Sequence, residues 1–111
     1  MLGASWEEFA IEQVLAMLGS DNAYFWSTQR GAELDLMLFR NGMRWDFEFK
    51  CSDAPSMTKS MHVSLHDLFL KGLLVVYPGK ERYRLHEKAE VIPLSECMKL
   101  QKTEISQWQN S

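Results

Sequence analysis

The sequence predicts an α/β domain in which a helix, three strands, a second helix and a further strand follow one another along the chain. Three patterns lead to this prediction. Ser5 and Glu8 form an S-x-x-E capping box at the start of an amphipathic segment typical of a helix. Asn41-Gly42 separates two strand-like segments and is a dipeptide typical of a two-residue hairpin turn. The continuous apolar run over residues 73–77 predicts a strand covered on both faces.

The other boundaries follow from residue composition. Gly19 and the polar residues after it end the first predicted helix, and Pro78-Gly79 ends the apolar strand. Met57, Met61, Leu65 and Leu68 give the second helix an apolar stripe at helical spacing. The predicted elements are helices over 5–18 and about 56–70, strands over 23–28, 32–40, 43–51, 73–77, 82–85 and 90–92, and a weak helix after Ser95.

Length and composition indicate one globular domain over residues 1–102, followed by a C-terminal tail over 103–111. No apolar run approaches the ~20 residues that cross a bilayer, and no secretory signal is visible, so we expect a cytoplasmic protein. Cys51 and Cys97 have no metal-ligand spacing and are expected to be reduced thiols. The net charge of −3 argues against a protein that binds nucleic acid by overall charge alone.

The hairpin turn predicts which residues share a face of the sheet. If Asn41 and Gly42 form the turn, an apolar face contains Leu34, Leu36, Leu38, Trp45, Phe47 and Phe49. The opposite face places Asp35 directly across from Glu48, with Lys50 two residues further along the same strand. Two carboxylates in direct opposition destabilise a sheet unless something neutralises them.

These polar residues predict a metal site. Mg²⁺ prefers a site made of one or two carboxylates and several waters, and it would neutralise Asp35 and Glu48. A Lys50 ammonium on the same face could orient an attacking water or stabilise charge developing on a phosphate. The alternatives are a solvated polar face and, for Lys50, a cross-strand salt bridge to Glu33.

The first helix offers a third acid. At about 100° per residue, Glu7 falls in the middle of the apolar stripe formed by Ile11, Val14 and Leu18. A carboxylate directed into a core needs a partner, and a metal site supplies one. Glu8 already has a role in the capping box. His62 and His66 lie off the second helix's apolar stripe, so we expect them at the surface.

These same residues resemble a known superfamily. The string Gly31-Ala-Glu-Leu-Asp35, followed by Glu48-Phe-Lys50, resembles the D-x(n)-E-x-K signature of the PD-(D/E)XK, or restriction-endonuclease-like, superfamily. Together with Gly3-Ala-Ser-Trp-Glu7 and Val75-Val-Tyr-Pro-Gly79, the chain resembles the uncharacterised domain that commonly ends bacterial and archaeal AAA+-type ATPases. That domain is regarded as a nuclease-like relative of archaeal Holliday-junction resolvases. Leu34 stands where the superfamily signature has Pro.

The resemblance implies a restriction-endonuclease-like α-β-β-β-α-β core with a mixed central sheet flanked by helices. It implies that Asp35, Glu48 and Glu7 bind Mg²⁺ or Mn²⁺, and that Lys50 completes the catalytic set. It further implies branched DNA as substrate, a homodimer, and an ATPase domain in cis or in trans. The chain has no G-x-x-x-x-G-K-[ST] loop of its own, so we expect either an excised domain or a short separate gene product.

Two functions are therefore open. The first is a Mg²⁺-dependent DNA phosphodiester hydrolase, that is, a metal-dependent endonuclease. The second is a catalytically inactive nucleic-acid-binding or partner-binding module of an AAA+-type ATPase, which the acidic net charge favours.

Overall fold

The computed structural model describes residues 3–18, 23–28, 34–40 and 42–100. Its elements follow the α-β-β-β-α-β order expected from the sequence, with three short elements after it. They are α1 (Gly3–Leu18), β1 (Ala23–Thr28), β2 (Leu34–Arg40), β3 (Met43–Phe49), α2 (Lys59–Leu65), β4 (Leu70–Tyr77), β5 (Tyr83–His86), β6 (Ala89–Pro93) and α3 (Leu94–Cys97).

All the described strands join one mixed sheet in the order β1-β2-β3-β4-β6-β5. Strands β1, β2 and β3 form an antiparallel meander. Strands β3, β4 and β6 are parallel, and β5 returns antiparallel to β6. The parallel β3–β4 pair needs a crossover connection, which the segment containing α2 provides. The predicted α/β class with a mixed central sheet is confirmed.

The helices cover the two faces of this sheet. Residues of α1 and α3 pack with Leu36, Phe47 and Val76 in one core cluster, and Met61 of α2 packs with Val75 in a second cluster. Successive residues of β4 alternate between the two clusters, and the strand is buried along nearly its whole length. The prediction that residues 73–77 are covered on both faces is confirmed.

The β2–β3 hairpin has the predicted register. Its Cα partners run from Arg40–Met43 at the turn to Leu34–Phe49 at the far end, without a shift. Leu36, Leu38, Trp45, Phe47 and Phe49 are all buried, as expected for the apolar face. Gly42 has φ +76°, a left-handed conformation that glycine adopts without steric cost. Asn41 and the predicted strand residues 32 and 33 lie outside the described residues.

Helix α1 begins two residues before the predicted N-cap. Ser5 lies within the helix, so the capping-box prediction for Ser5 and Glu8 is wrong. Ala4 is a strong helix former and lets the helix extend towards the N-terminus. The helix ends at Leu18, as predicted. Gly19 and the predicted tail over 103–111 lie outside the described residues.

Helix α2 is shorter than predicted at both ends. Thr58 is its N-cap, where the Thr58 hydroxyl accepts a hydrogen bond from Met61 N at 3.2 Å. At the other end the Asp67 carboxylate accepts a hydrogen bond from Phe69 N at 2.8 Å, which favours a turn over another helical residue. Leu68 consequently leaves the predicted apolar stripe and is 91% exposed.

A group of three charged side chains fastens the loop between α2 and β4 to the sheet. Arg44 Nε lies 3.0 Å from Asp46 Oδ1, and Arg44 Nη1 lies 2.8 Å from Asp67 Oδ2. The first of these contacts is an ion pair without hydrogen-bond alignment, whereas Arg44 Nη2 donates to Asp46 Oδ2 at 3.3 Å. Asp46 is only 7% exposed, and burial raises the pKa of its carboxyl above the ordinary 3.8, against the opposing effect of the Arg44 charge.

The turn geometry leads to a test of the hairpin. A Cβ atom at residue 42 would meet nothing within 4 Å, so Gly42→Ala changes backbone strain alone. We expect this substitution to lower the free energy of unfolding by about 1 kcal/mol, because an L-residue in the left-handed region is strained. Gly42→Asn should cost less, since asparagine tolerates that region. Urea denaturation measures both, and equal losses for Ala and Asn would contradict the assigned turn.

The raised pKa of Asp46 gives a second test. A carboxyl whose pKa is higher in the folded than in the unfolded state binds its proton more tightly when folded. Its stabilising contribution is therefore full below the unfolded pKa and is lost as the pH rises through the folded pKa. We expect the unfolding free energy of the wild type, minus that of Asp46→Asn, to fall as pH rises across this window. Denaturant titrations at a series of pH values measure it, and a constant or rising difference would refute the assignment.

Candidate functional site

Glu48 occupies a buried position on the face of the sheet that α2 covers. Its Cα partners are Asp35 on β2 and Val75 on β4, and Val75 belongs to the core cluster beneath α2. Glu48 is only 5% exposed. The alternative of a fully solvated polar face is thus wrong for Glu48 and Asp46, because the crossover that joins β3 to β4 encloses this face.

Asp35 lies directly opposite Glu48 in the antiparallel pair, as predicted. Paired residues of an antiparallel ladder occupy the same face of a sheet, so the backbone places both acidic positions together. The side chain of Asp35 lies outside the part of the chain that the structure describes. The backbone register alone therefore supports the predicted acidic pair.

Lys50 follows the last residue of β3 and continues its pairing with β4. Its backbone N–H donates to Val76 O at 2.9 Å, which keeps the chain extended beyond Phe49. Strand alternation then places Lys50 on the same face as Glu48. The Lys50 side chain is partly exposed, whereas Glu48 is buried, so the ammonium lies nearer to solvent than the carboxylate. The alternative partner Glu33 lies outside the described residues.

Glu7 reaches the same end of β3 from the opposite side of the sheet. It is 6% exposed, while Glu8 and Glu12 on the same helix are exposed, as the helix phase predicted. Glu7 Oε2 accepts a long hydrogen bond of 3.4 Å from Cys51 N, the residue after Lys50. Helix α1 therefore delivers a carboxylate to the point where β3 ends.

The predicted residues thus come to one end of the sheet from three elements. Asp35 is near the start of β2, Glu48 and Lys50 are at the end of β3, and Glu7 arrives from α1. Among the described side chains, which do not include that of Asp35, no three His, Cys, Asp or Glu residues form a group that could hold a metal. Glu7 and Glu48 supply carboxylate oxygens, which suit a hard cation such as Mg²⁺.

Tyr77 fixes the loop that leaves β4 beside this end of the sheet. Its hydroxyl donates to Glu81 O at 2.6 Å and accepts from Glu81 N at 2.9 Å. The Tyr77 ring lies so close to Gly79 that a Cβ there would be 2.2 Å from Cε2. The Val75-Val-Tyr-Pro-Gly79 string therefore has a structural explanation, namely a buried strand that ends in a turn closed by its own tyrosine.

No histidine or cysteine side chain belongs to a metal-binding group among the described residues. His62 and His66 are exposed on and just after α2, as expected. Both cysteines are free thiols. Cys97 is fully buried, and that burial raises its thiol pKa to about 12, which makes it a poor nucleophile at neutral pH.

A concave surface, which the sequence patterns did not predict, lies at the start of β3 and β4, at the end of the sheet opposite to the candidate site. It is lined by Met43, Leu68, Leu70, Lys71, Glu87 and Lys88. These residues come from three separate segments and share no motif or spacing, so no sequence signal could have identified them together.

No helix in the described part of the chain is long and apolar enough to cross a membrane.

Comparison with known proteins places the chain among uncharacterised relatives. Two uncharacterised proteins, one from Mycobacterium bovis and one from Mycobacterium tuberculosis, are each 41% identical to it over 97 residues. Each alignment covers 87% of this chain but 22% of the relative, so the chain spans about a fifth of the length of these curated relatives. No solved structure matches the chain. A family described as a domain of unknown function (DUF4143) matches residues 2–97, and the chain belongs to that family.

Proposed function

We propose that this chain is a Mg²⁺-dependent DNA phosphodiester hydrolase domain of the PD-(D/E)XK type. The observation that carries the proposal is the β2–β3 register, which sets Asp35 opposite Glu48. The burial of Glu48 and the arrival of Glu7 at the end of the same strand support it. Their carboxylate oxygens are ligands of the kind that Mg²⁺ prefers.

The proposal assigns ion binding to the three acidic residues and positioning of the attacking water to Lys50. Asp35 and Glu48 would hold the ion, with Glu7 contributing a direct or water-mediated ligand. Bound Mg²⁺ supplies charge neutralisation at the scissile phosphate and lowers the pKa of a bound water. The partly exposed Lys50 ammonium would position the attacking water and stabilise the negative charge that develops on the phosphate. Mn²⁺ would serve in place of Mg²⁺ because it accepts the same oxygen ligands.

The surroundings of the domain form part of the proposal. With a net charge of −3, the chain would contact DNA through the ion and local lysines, not through its overall charge. Branched DNA as substrate, a homodimer and a cytoplasmic location remain proposals that come from the resemblance and the sequence. An ATPase domain in the same polypeptide is consistent with relatives of which the chain covers only 22%.

A second function deserves a test because of that acidic charge. The same fold could serve as a catalytically inactive nucleic-acid-binding or partner-binding module of an AAA+-type ATPase. A module of this kind would not need a divalent ion, since its function would reside in surface contacts. Ion binding and DNA cleavage therefore discriminate between the two functions.

Metal binding is the first test. A ligand that binds only the folded state stabilises it, by about 2.7 kcal/mol at a concentration one hundred times its dissociation constant. We expect Mn²⁺ or Mg²⁺ to raise the melting temperature of the wild type, and Glu48→Gln and Glu7→Gln to reduce the shift. Glu8→Gln is the matched control, because Glu8 is the exposed neighbour of Glu7. If the ion does not shift the melting temperature of the wild type, or shifts it equally in all variants, the proposed metal site is wrong.

Cleavage by Lys50→Ala is the second test. We expect the wild type to nick branched DNA in the presence of Mn²⁺, and Lys50→Ala to lose at least a hundredfold in rate, within the range given by removal of one electrostatic catalytic group. The variant should keep the ion-induced shift in melting temperature, because Lys50 is not an ion ligand. Gel-based cleavage and thermal denaturation measure the two properties separately. Wild-type binding of the ion without cleavage of branched, single-stranded or plasmid DNA would favour the inactive module.

A further inference from the structure

Two loops cross the sheet at the end where the candidate site lies. Residues 51–58 form the first loop, which leads from β3 to α2, and residues 78–82 form the second loop, which leads from β4 to β5. Because β6 lies between β4 and β5 in the sheet, the second loop passes over the end of β6. Helix α2 starts at the same end, since the crossover begins where β3 ends and finishes where the parallel strand β4 starts. Lys59, the first residue of α2, and Lys80, in the second loop, are therefore both at the end of the sheet that carries the site.

Two tyrosines fix these loops to each other. The Tyr77 hydroxyl holds both backbone groups of Glu81 in the second loop, at 2.6 and 2.9 Å. The Tyr83 hydroxyl donates to Pro55 O in the first loop at 2.7 Å. The two rings meet edge to face, with 6.3 Å between their centroids and 86° between their planes. Side chains presented by a backbone that is already fixed lose less conformational freedom when they bind a ligand.

Lys59 and Lys80 are not used within the chain. Both are exposed, and neither forms an ion pair or a side-chain hydrogen bond in the part of the protein that the structure describes. Arg82, in the same loop as Lys80, is instead bound to the carboxylate of Glu90 at 2.6 Å. The structure thus separates a basic residue that stabilises the fold from two that remain available to a ligand.

The acidic residues of the two loops do not neutralise these lysines. Asp53 and Glu81 are exposed, and neither of them forms an ion pair with another described residue. A chain with a net charge of −3 attracts phosphate groups only through local cations of this kind.

We propose that Lys59 and Lys80 bind backbone phosphates of the DNA strand that enters the candidate site. The inference rests on the proposed function and adds to it the residues that hold the substrate beside the reacting phosphate. Contacts between lysines and phosphates fix the position of a protein on DNA without reading its sequence. Both lysines are binding residues away from the reacting phosphate, so their loss weakens DNA binding and leaves ion binding unchanged.

The salt dependence of DNA binding tests these contacts. Fluorescence anisotropy of a labelled branched DNA measures the affinity over a series of salt concentrations, with Ca²⁺ in place of Mg²⁺ because it also binds carboxylate oxygens. Electrophoresis of the recovered DNA checks that it stays uncut. Each lost phosphate contact makes the plot of log affinity against log salt concentration shallower by about 1. We expect this change for Lys59→Ala and for Lys80→Ala, a change of about 2 for the double variant, and a loss of affinity of about tenfold per lysine near 0.1 M salt.

Two variants control for charge and position. Lys71→Ala removes the same charge at the start of β4, at the opposite end of the sheet, and should keep the slope of the wild type. Lys80→Arg keeps the charge at its position and should also keep that slope. Circular dichroism and the ion-induced shift in melting temperature check that each variant is folded and still binds the ion.

The outcomes separate this inference from the proposed function. If the wild type binds DNA and the double variant has the same slope, or if Lys71→Ala loses as much slope as Lys80→Ala, the assignment of Lys59 and Lys80 is wrong and the proposed function stands. A wild type that binds no DNA even at low salt overturns both.

Discussion

The pairing of β2 with β3 is the constraint on which the other parts of this protein depend. A two-residue turn with Gly42 at φ +76° sets the register, and the register decides which face each side chain occupies. A slip of one residue would bring Asp46 and Glu48 to the α1 side and move Trp45 and Phe47 out of the α1 core to the α2 side. The apolar core beneath α1 and the acidic pair on the α2 side are thus two results of one turn.

Features based on short-range chemistry could be predicted from the sequence. The Asn-Gly turn and strict alternation correctly predicted every pair of Cα partners in the hairpin, from Arg40–Met43 to Leu34–Phe49. The apolar run in β4 predicted a strand buried on both faces, because only a sandwiched strand tolerates such a run. For the candidate site, helix periodicity alone identified Glu7 as the buried acid of α1.

Features that depend on tertiary contacts could not be predicted in the same way. The apolar spacing of α2 extended to Leu68, but the helix ends at Leu65, where Asp67 binds Arg44 and the Phe69 amide. The ion pair between Arg44 and Asp67 joins positions far apart in sequence and leaves no local pattern. The burial of Glu48 could not be predicted either. Hairpin alternation predicts which face Glu48 occupies but not that the crossover encloses this face.

The contact between Glu7 and Cys51 has a consequence for the order in which the protein folds. The hairpin closes a very short loop, whereas Glu7 and Cys51 are separated by 44 positions, and closing a longer loop costs more chain entropy. Small domains rich in contacts of low sequence separation fold faster than those dominated by distant contacts, because the entropy of loop closure opposes distant contacts. We therefore expect the hairpin to bring positions 35 and 48 into opposition early, and Glu7 to reach the end of β3 only when α1 docks on the finished sheet. In a nascent or partly unfolded chain the acidic positions of the hairpin would face each other before Glu7 arrives, so the contact between Glu7 and Cys51 is itself a marker of the native state.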